Sequence, residues 1–197
     1  MPKLWSQTIE THRREVGDAI LDTTAALVAE HGLRAVTMSQ IAEQSGIGRA
    51  TLYKYYPDVE SILVAWHERH AAERLAHLAQ LRDQSADPGD ALEAVLSALA
   101  AHLHERAKNH GGADLVALVH QDQHVKDLEQ QLLRFLRNLI ADAADAGRTR
   151  SDVPPEELAQ YCLHALSAAG NSPSRAAVQR LLALTLAGLA APESSAT

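Results

Sequence analysis

The stretch GIGRATLYKYY, residues 46–56, carries Arg49, Lys54 and three tyrosines, and it holds no carboxylate. Cationic side chains donate hydrogen bonds to phosphates and to the acceptors of guanine, and tyrosine and threonine hydroxyls reach phosphates. Small methyl-bearing side chains touch the methyl group of thymine. A carboxylate in the same place would meet the repulsive field of the phosphates. The chemistry open to this stretch is therefore contact with a nucleic-acid duplex. It stands out because the chain is acidic, with 18 Lys+Arg against 25 Asp+Glu in 197 residues and a net charge of −7. Residues 1–56 hold six basic and six acidic side chains, so the entire negative excess belongs to residues 57–197. An acidic total is compatible with nucleic acid as a partner when the cations are gathered locally. The competing reading is a tyrosine-rich exposed helix packed on a neighbour.

Two short helices around a turn would position these residues. Thr37 and Gln40 form a Thr-x-x-Gln capping box, with Val36 and Ile41 at the staple positions, which predicts a helix over Met38–Ser45. Ser45-Gly46-Ile47-Gly48 reads as a turn, and a third helix follows over Arg49–Tyr55, closed by Pro57. Two short helices joined by a glycine-containing turn are the helix-turn-helix pattern, whose second helix lies in the major groove. At roughly 100° per residue, Leu52 and Tyr56 point to the core beside Ile41, Ala42 and Ile47. Ala50 and Lys54 fall on the opposite side, flanked by Thr51 and Tyr53. The expected DNA-binding set is Thr37, Arg49, Ala50, Thr51, Tyr53, Lys54 and Tyr55. Ala50 and the Thr51 methyl would meet thymine, Lys54 or Arg49 would donate to guanine, and Tyr53, Tyr55 and Thr37 would hold phosphates.

The rest of the chain is helical in pattern, with no alternating β-branched runs. Helices are expected over residues 8–31, 38–45, 49–55, 59–81, 91–108, 113–120, 125–146, 156–169 and 175–190, which makes an all-α chain of nine helices. Cys162 is the single cysteine, so no intramolecular disulfide and no cysteine-based zinc site can form. Residues 1–14 are polar and do not read as a signal peptide, and Leu181–Ala191 is too short to span a bilayer. The expectation is a cytoplasmic protein. No phosphate loop, nucleophile elbow or metal motif is present, so the reading is not an enzyme and calls for no cofactor.

The segment ILDTTAALVAEHGLRAVTMSQIAEQSGIGRATLYKYYPDVESIL, residues 20–63, resembles the N-terminal domain of the TetR family of transcriptional regulators. The resemblance is carried by EHG at 30–32, Thr37, IA at 41–42, Gly46, LY at 52–53, Tyr56 and IL at 62–63. It covers about a quarter of the chain, and the total length and helix count are also similar to the family. Two positions depart from it. Gly48 stands where the family usually has serine as the cap of the recognition helix, and Val59 stands where it commonly has a phosphate-reaching lysine.

The resemblance implies a helix-turn-helix DNA-binding domain over residues 1–57 and an effector-binding and dimerisation domain over 58–197. It implies a homodimeric repressor released by a small molecule from a double-stranded, palindromic operator. The last two helices are apolar on more than one face, which suggests burial both within and between subunits. The interface expected there comprises Leu158, Cys162, Leu166, Val178, Leu181, Leu182, Thr185 and Leu189. An effector pocket would lie among helices four to seven. Trp66, His70, Leu103, Arg106, Leu118, Phe135 and Tyr161 are its candidate walls, each near the middle of its helix and each equally suited to plain core.

The alternative function draws on histidine. Eight of the 11 histidines fall between residues 67 and 124. His67, His70 and His77 share a helical stripe with Arg74, and His120 and His124 are four apart, spacings that can bring two imidazoles to one metal. That reading is a metal-binding sensor or metal-dependent enzyme. A polar face or pocket-lining hydrogen-bond partners explain the same pattern without a metal.

Overall fold

A computed structural model describes residues 3–109 and 123–191, with side chains over 11–107 and 126–191. Among the described residues there are eight α-helices and no strand: α1 (Lys3–His31), α2 (Met38–Ser45), α3 (Arg49–Tyr55), α4 (Val59–Gln84), α5 (Pro88–Asn109), α6 (Gln123–Asp145), α7 (Pro155–Ser167) and α8 (Arg175–Leu189). The helix expected over residues 113–120, and Leu118 with it, lie outside the described residues. Contacts divide the chain into two compact units. The first holds residues 3–71 and 123–126, and the second holds 72–109 and 127–191. α4 begins in the first unit and ends in the second.

Local chemistry sets the element ends. α1 starts five residues earlier than expected because no glycine or proline interrupts residues 3–7, and it stops at Gly32, whose φ of 81° is one that side chains with a Cβ rarely adopt. Thr37 accepts the Gln40 N–H at 3.3 Å while Gln40 Oε1 accepts the Thr37 N–H at 2.9 Å, the two halves of the capping box. At its other end, Gly46 takes a φ of 68°, and the Ile47 N–H reaches back to the Ala42 carbonyl at 3.0 Å. Asp58 caps α4 by accepting the Ser61 N–H at 2.8 Å, and Ser61 Oγ donates back to the Asp58 carbonyl at 2.8 Å. Asp87 caps α5 through the Gly89 and Asp90 N–H groups, next to Pro88 as the first helical residue.

The first unit is built on one apolar cluster of Ile20, Leu21, Leu27, Val36, Met38, Ile41, Ala42, Leu52 and Ile62. Apart from Val36, which lies just before α2, these come from α1, α2, α3 and α4. The second unit has its own cluster, running from Leu78 on α4 through Leu92, Leu96 and Leu99 on α5 to Leu136 and Ile140 on α6. Leu158, Cys162 and Leu166 on α7 and Val178, Leu182 and Leu189 on α8 complete it. His104, buried on α5, donates through Nδ1 to the Ala169 carbonyl at 3.0 Å, which ties α5 to the 3-10 turn at Ala168–Asn171.

Most of the residues expected at the dimer interface pack inside the single chain. Leu158, Cys162, Leu166, Val178, Leu182, Thr185 and Leu189 are buried within one chain and have no surface to offer a partner. They hold α7 and α8 inside their own unit. Of the residues expected at the interface, only Leu181 is partly exposed. Periodicity showed two apolar faces on these helices but not which one meets the chain's own core. The outward face instead carries Tyr161 and Leu184, 44% and 69% exposed. Tyr161, expected as a pocket wall, is one of these exposed groups. Its ring lies so close over Gly188 that a Cβ added there would fall 2.7 Å from the hydroxyl.

Truncating the fully buried Leu52 removes the contact that seats α3. Leu52→Ala should lower unfolding free energy by ~2–5 kcal/mol, read from the midpoint of a urea titration followed by circular dichroism. A loss below about 0.5 kcal/mol would show that α3 is not seated this way.

Candidate nucleic-acid interface

α3 has seven residues and a single buried one, Leu52. With Leu52 fixed in the cluster, helical geometry decides the rest. Arg49, Ala50, Thr51, Tyr53 and Lys54 are all exposed, with Tyr53 at 49%. The structure thus brings five of the seven expected DNA-contacting residues onto one accessible surface. Thr37, exposed at the start of α2, has its hydroxyl engaged with Gln40 in the capping box. Tyr55 differs from the expectation of a freely projecting phosphate contact. Its ring packs against the cluster, tilts on Tyr56 at a centroid distance of 6.5 Å, and lies under the Arg13 guanidinium at 5.9 Å. This is a cation–π contact of partly exposed groups.

The expected departure at Gly48 is visible in the geometry. Gly48 sits at the N-cap of α3 with φ −60° and ψ 137° and makes no side-chain cap. A Cβ there would meet nothing closer than Thr51 Oγ1 at 3.9 Å, so the site is open to a larger residue. No carboxylate of the first unit stands in α3, and the first acidic residue after it, Asp58, has its Oδ1 engaged by the Ser61 N–H.

Sequence reading missed the residue that braces this unit from behind. Arg69 on α4 donates from one terminal nitrogen to Asp18 at 2.8 Å and from the other to Asp22. Burial alone would lower the Arg69 pKa, but the hydrogen bonds to Asp18 and Asp22 outweigh it and hold the guanidinium charged. Nearby Tyr56 is half-buried, and burial raises its hydroxyl pKa. A signal was available, since Asp18 and Asp22 lie one turn apart on α1 and call for a cation on the facing helix. Their partner lies 47 and 51 residues away, and no local pattern names it.

The expected effector walls are distributed between the units. Trp66 and His70 belong to the first, where their rings stack at 4.2 Å and His70 Nδ1 donates to the Trp66 carbonyl at 3.0 Å. Leu103, Arg106 and Phe135 belong to the second. Leu103 and Phe135 pack against its apolar cluster, with the Arg82 guanidinium 5.5 Å from the Phe135 ring centre. An open cleft of about 300 Å³ in that unit is lined by Asp90, Glu93, Arg148 and Thr149 among others, and by none of the expected wall residues. Among the described residues, no three His, Cys, Asp or Glu side chains converge as a metal site, and no helix is long and apolar enough to cross a membrane. Cys162 is buried and its thiol pushed up to about 12 by burial, which leaves it unreactive.

Described residues that are helical throughout, with a first unit presenting a helix-turn-helix, define the architecture of a DNA-binding regulator. Residues 20–65 match the family described as bacterial regulatory proteins, tetR family, and residues 87–191, more than half of the chain, match the SbtR-like transcriptional regulator C-terminal domain. The chain belongs to the TetR family of transcriptional regulators and is not an enzyme. A helix-turn-helix-type transcriptional regulator of Mycobacterium bovis is 28% identical over 152 residues, covering 73% of this chain and 75% of that one. A TetR/AcrR-family regulator from Thermobifida fusca shares the fold at a TM-score of 0.73 and 18% identity, covering 87% of this chain and 97% of that one. FadR from Bacillus subtilis in complex with stearoyl-CoA has a TM-score of 0.66 at 17% identity, covering 87% of this chain and 98% of that one. AibR in complex with isovaleryl coenzyme A and operator DNA has a TM-score of 0.62 at 18% identity, covering 90% of this chain and 99% of that one.

The open N-cap yields a prediction. Gly48→Ser should supply the missing cap and stabilise the chain by a few tenths of a kcal/mol, about 0.3, measured by thermal unfolding. DNA affinity should rise or stay level. A drop in melting temperature would mean that the Gly48 backbone tolerates no side chain.

Proposed function

We propose that this regulator is a cytoplasmic homodimeric repressor, and that a small molecule bound by its C-terminal domain releases it from a palindromic operator. The observation that carries the reading is the exposed, carboxylate-free face of α3, held by a completely buried Leu52. Arg49, Ala50, Thr51 and Lys54 contact base edges. Tyr53 and Thr37 contact phosphate, and Tyr55, packed below, supports the surface and offers its hydroxyl at the edge.

One seven-residue helix reads too few base pairs for useful specificity, which favours a symmetric dimer with its recognition helices about one helical turn apart. Tyr161 and Leu184 on the outward face of α7 and α8 are large apolar groups left uncovered in the single chain, and they form the centre of the proposed dimer contact. The ligand and DNA present in the AibR structure, and the acyl-CoA in the FadR structure, support a ligand-responsive mechanism for this chain. α4 is the natural carrier of the response, since its capped start follows α3 directly and its other end lies in the second unit. A ligand shifts the equilibrium only by its differential affinity for the bound and released states.

The test is a fluorescence anisotropy titration against DNA flanking the protein's own gene. Specific, salt-sensitive binding is expected. Lys54→Ala should cost ~1–3 kcal/mol and relax preference at one base pair, whereas Tyr53→Phe should weaken binding to all sequences alike. Equal affinity of parent and both variants would overturn the assignment of α3.

The dimer is tested separately by sedimentation. Leu184→Glu places a charge on the exposed apolar face and should shift the chain toward monomer without lowering its helicity. An unchanged sedimentation coefficient would remove this face from the interface.

A further inference from the structure

The packed face of α1 runs through Leu27, Ile20 and Val16. One turn further toward the N-terminus the same face reaches Arg13, which is exposed. α1 therefore carries a cation past the apolar cluster. Its guanidinium rests 5.9 Å from the ring centre of Tyr55 on α3. Both residues belong to the first unit. On the next turns of α1 the acids face other groups: Glu15 lies 3.9 Å from His12, and Asp18 accepts from Arg69 at 2.8 Å.

The position of Tyr55 on α3 decides what lies beside it. At roughly 100° per residue from the buried Leu52, Tyr53 falls on one flank of α3, and Thr51 and Tyr55 fall on the other. An α-helix with its side chains is about 10–12 Å across, and the major groove is about 12 Å wide. A recognition helix thus fills the groove, and each flank abuts one of the two sugar–phosphate strands. Tyr53 offers its hydroxyl to the strand on its side. On the other flank the Tyr55 ring is turned into the packing, and the group standing over it is Arg13. An aromatic face attracts a guanidinium without supplying a lone pair, so the planar fork of N–H donors keeps its match to phosphate.

We propose that Arg13 is a phosphate contact of the DNA interface, on the backbone strand opposite the one held by Tyr53. Tyr55 holds the guanidinium in place, and α1 becomes a DNA-contacting element outside the helix-turn-helix. This rests on the reading of α3 as the groove-facing helix. The contact supplies affinity and register rather than base preference, because phosphates are alike in every sequence.

Binding of the full chain to the DNA upstream of its own gene, and to an unrelated duplex of equal length, is followed by fluorescence anisotropy across a series of salt concentrations. The variants are Arg13→Gln, Arg13→Lys, Lys54→Ala and Arg180→Gln, the last an exposed charge on α8. Arg13→Gln should weaken both duplexes by a similar factor, about threefold or more. It should also flatten the slope of log affinity against log salt by about one for each chain bound. Arg13→Lys should recover most of that slope, and Arg180→Gln should leave it unchanged. Unchanged affinity and slope in Arg13→Gln would overturn the proposal. So would a loss confined to the upstream DNA, which assigns Arg13 to base reading, or a slope that Arg13→Lys does not recover. A lower melting temperature with an unchanged slope would make Arg13 only a seat for Tyr55, and equal flattening by Arg180→Gln would make the effect one of bulk charge; both overturn it. Weaker binding by Lys54→Ala beside an inert Arg13→Gln defeats this proposal alone. A flattened slope in Arg13→Gln, with Lys54→Ala indistinguishable from the parent, defeats the base-reading assignment of α3 and leaves the phosphate contact standing.

Discussion

A helix of seven residues is unstable by itself in water, so α3 owes its existence and orientation to the burial of Leu52. That one contact fixes which side of α3 is hidden and therefore which side is presented. Ile41 from α2, Ile20 from α1 and Ile62 from α4 share the cluster with it and are likewise fully buried. A displaced Leu52 would rotate Ala50, Thr51 and Lys54 together. The presented surface is set by the apolar packing behind it.

The long helices carry this constraint outward. Arg69 ties α4 to two carboxylates of α1, so the frame around α2 and α3 is closed by charge as well as by apolar contact. These groups are partly exposed, and such pairs add modest stability. Their value is geometric: a forked guanidinium meeting two acceptors resists rotation of α4 about its own axis. α4 continues from the first unit into the second. The second unit spends its apolar residues on its own core.

Local signals in the sequence were reliable wherever the determining partner lay within one turn. The Thr37–Gln40 capping box and the turn at Gly46 appear where residue types and spacing put them. The inward side of α3 followed from the 3.6-residue period, and so did the exposed set around Lys54. Long-range facts were not legible. Nothing near Asp18 points to Arg69, and two apolar faces on α7 and α8 do not say which meets the chain's own core. Leu158 and Leu182 were therefore expected between subunits and are buried in the single chain, while Leu184, next to buried Thr185 and two residues from buried Leu182, is exposed. Tyr55 shows the same limit at small scale, since its aromatic ring serves either a phosphate contact or the edge of a core. In the structure its ring is partly buried against the apolar cluster.

The central claim is that α3 reads DNA from the major groove as one half of a symmetric pair. Hydroxyl-radical footprinting of a duplex carrying the region upstream of the gene tests it most directly. Protected patches should recur on one face of the duplex, spaced about 10 base pairs apart and symmetric about a centre. They should disappear when Lys54 and Tyr53 are both replaced by alanine in a chain that remains folded. Uniform cleavage at low salt, or protection that survives the double replacement, would contradict the account.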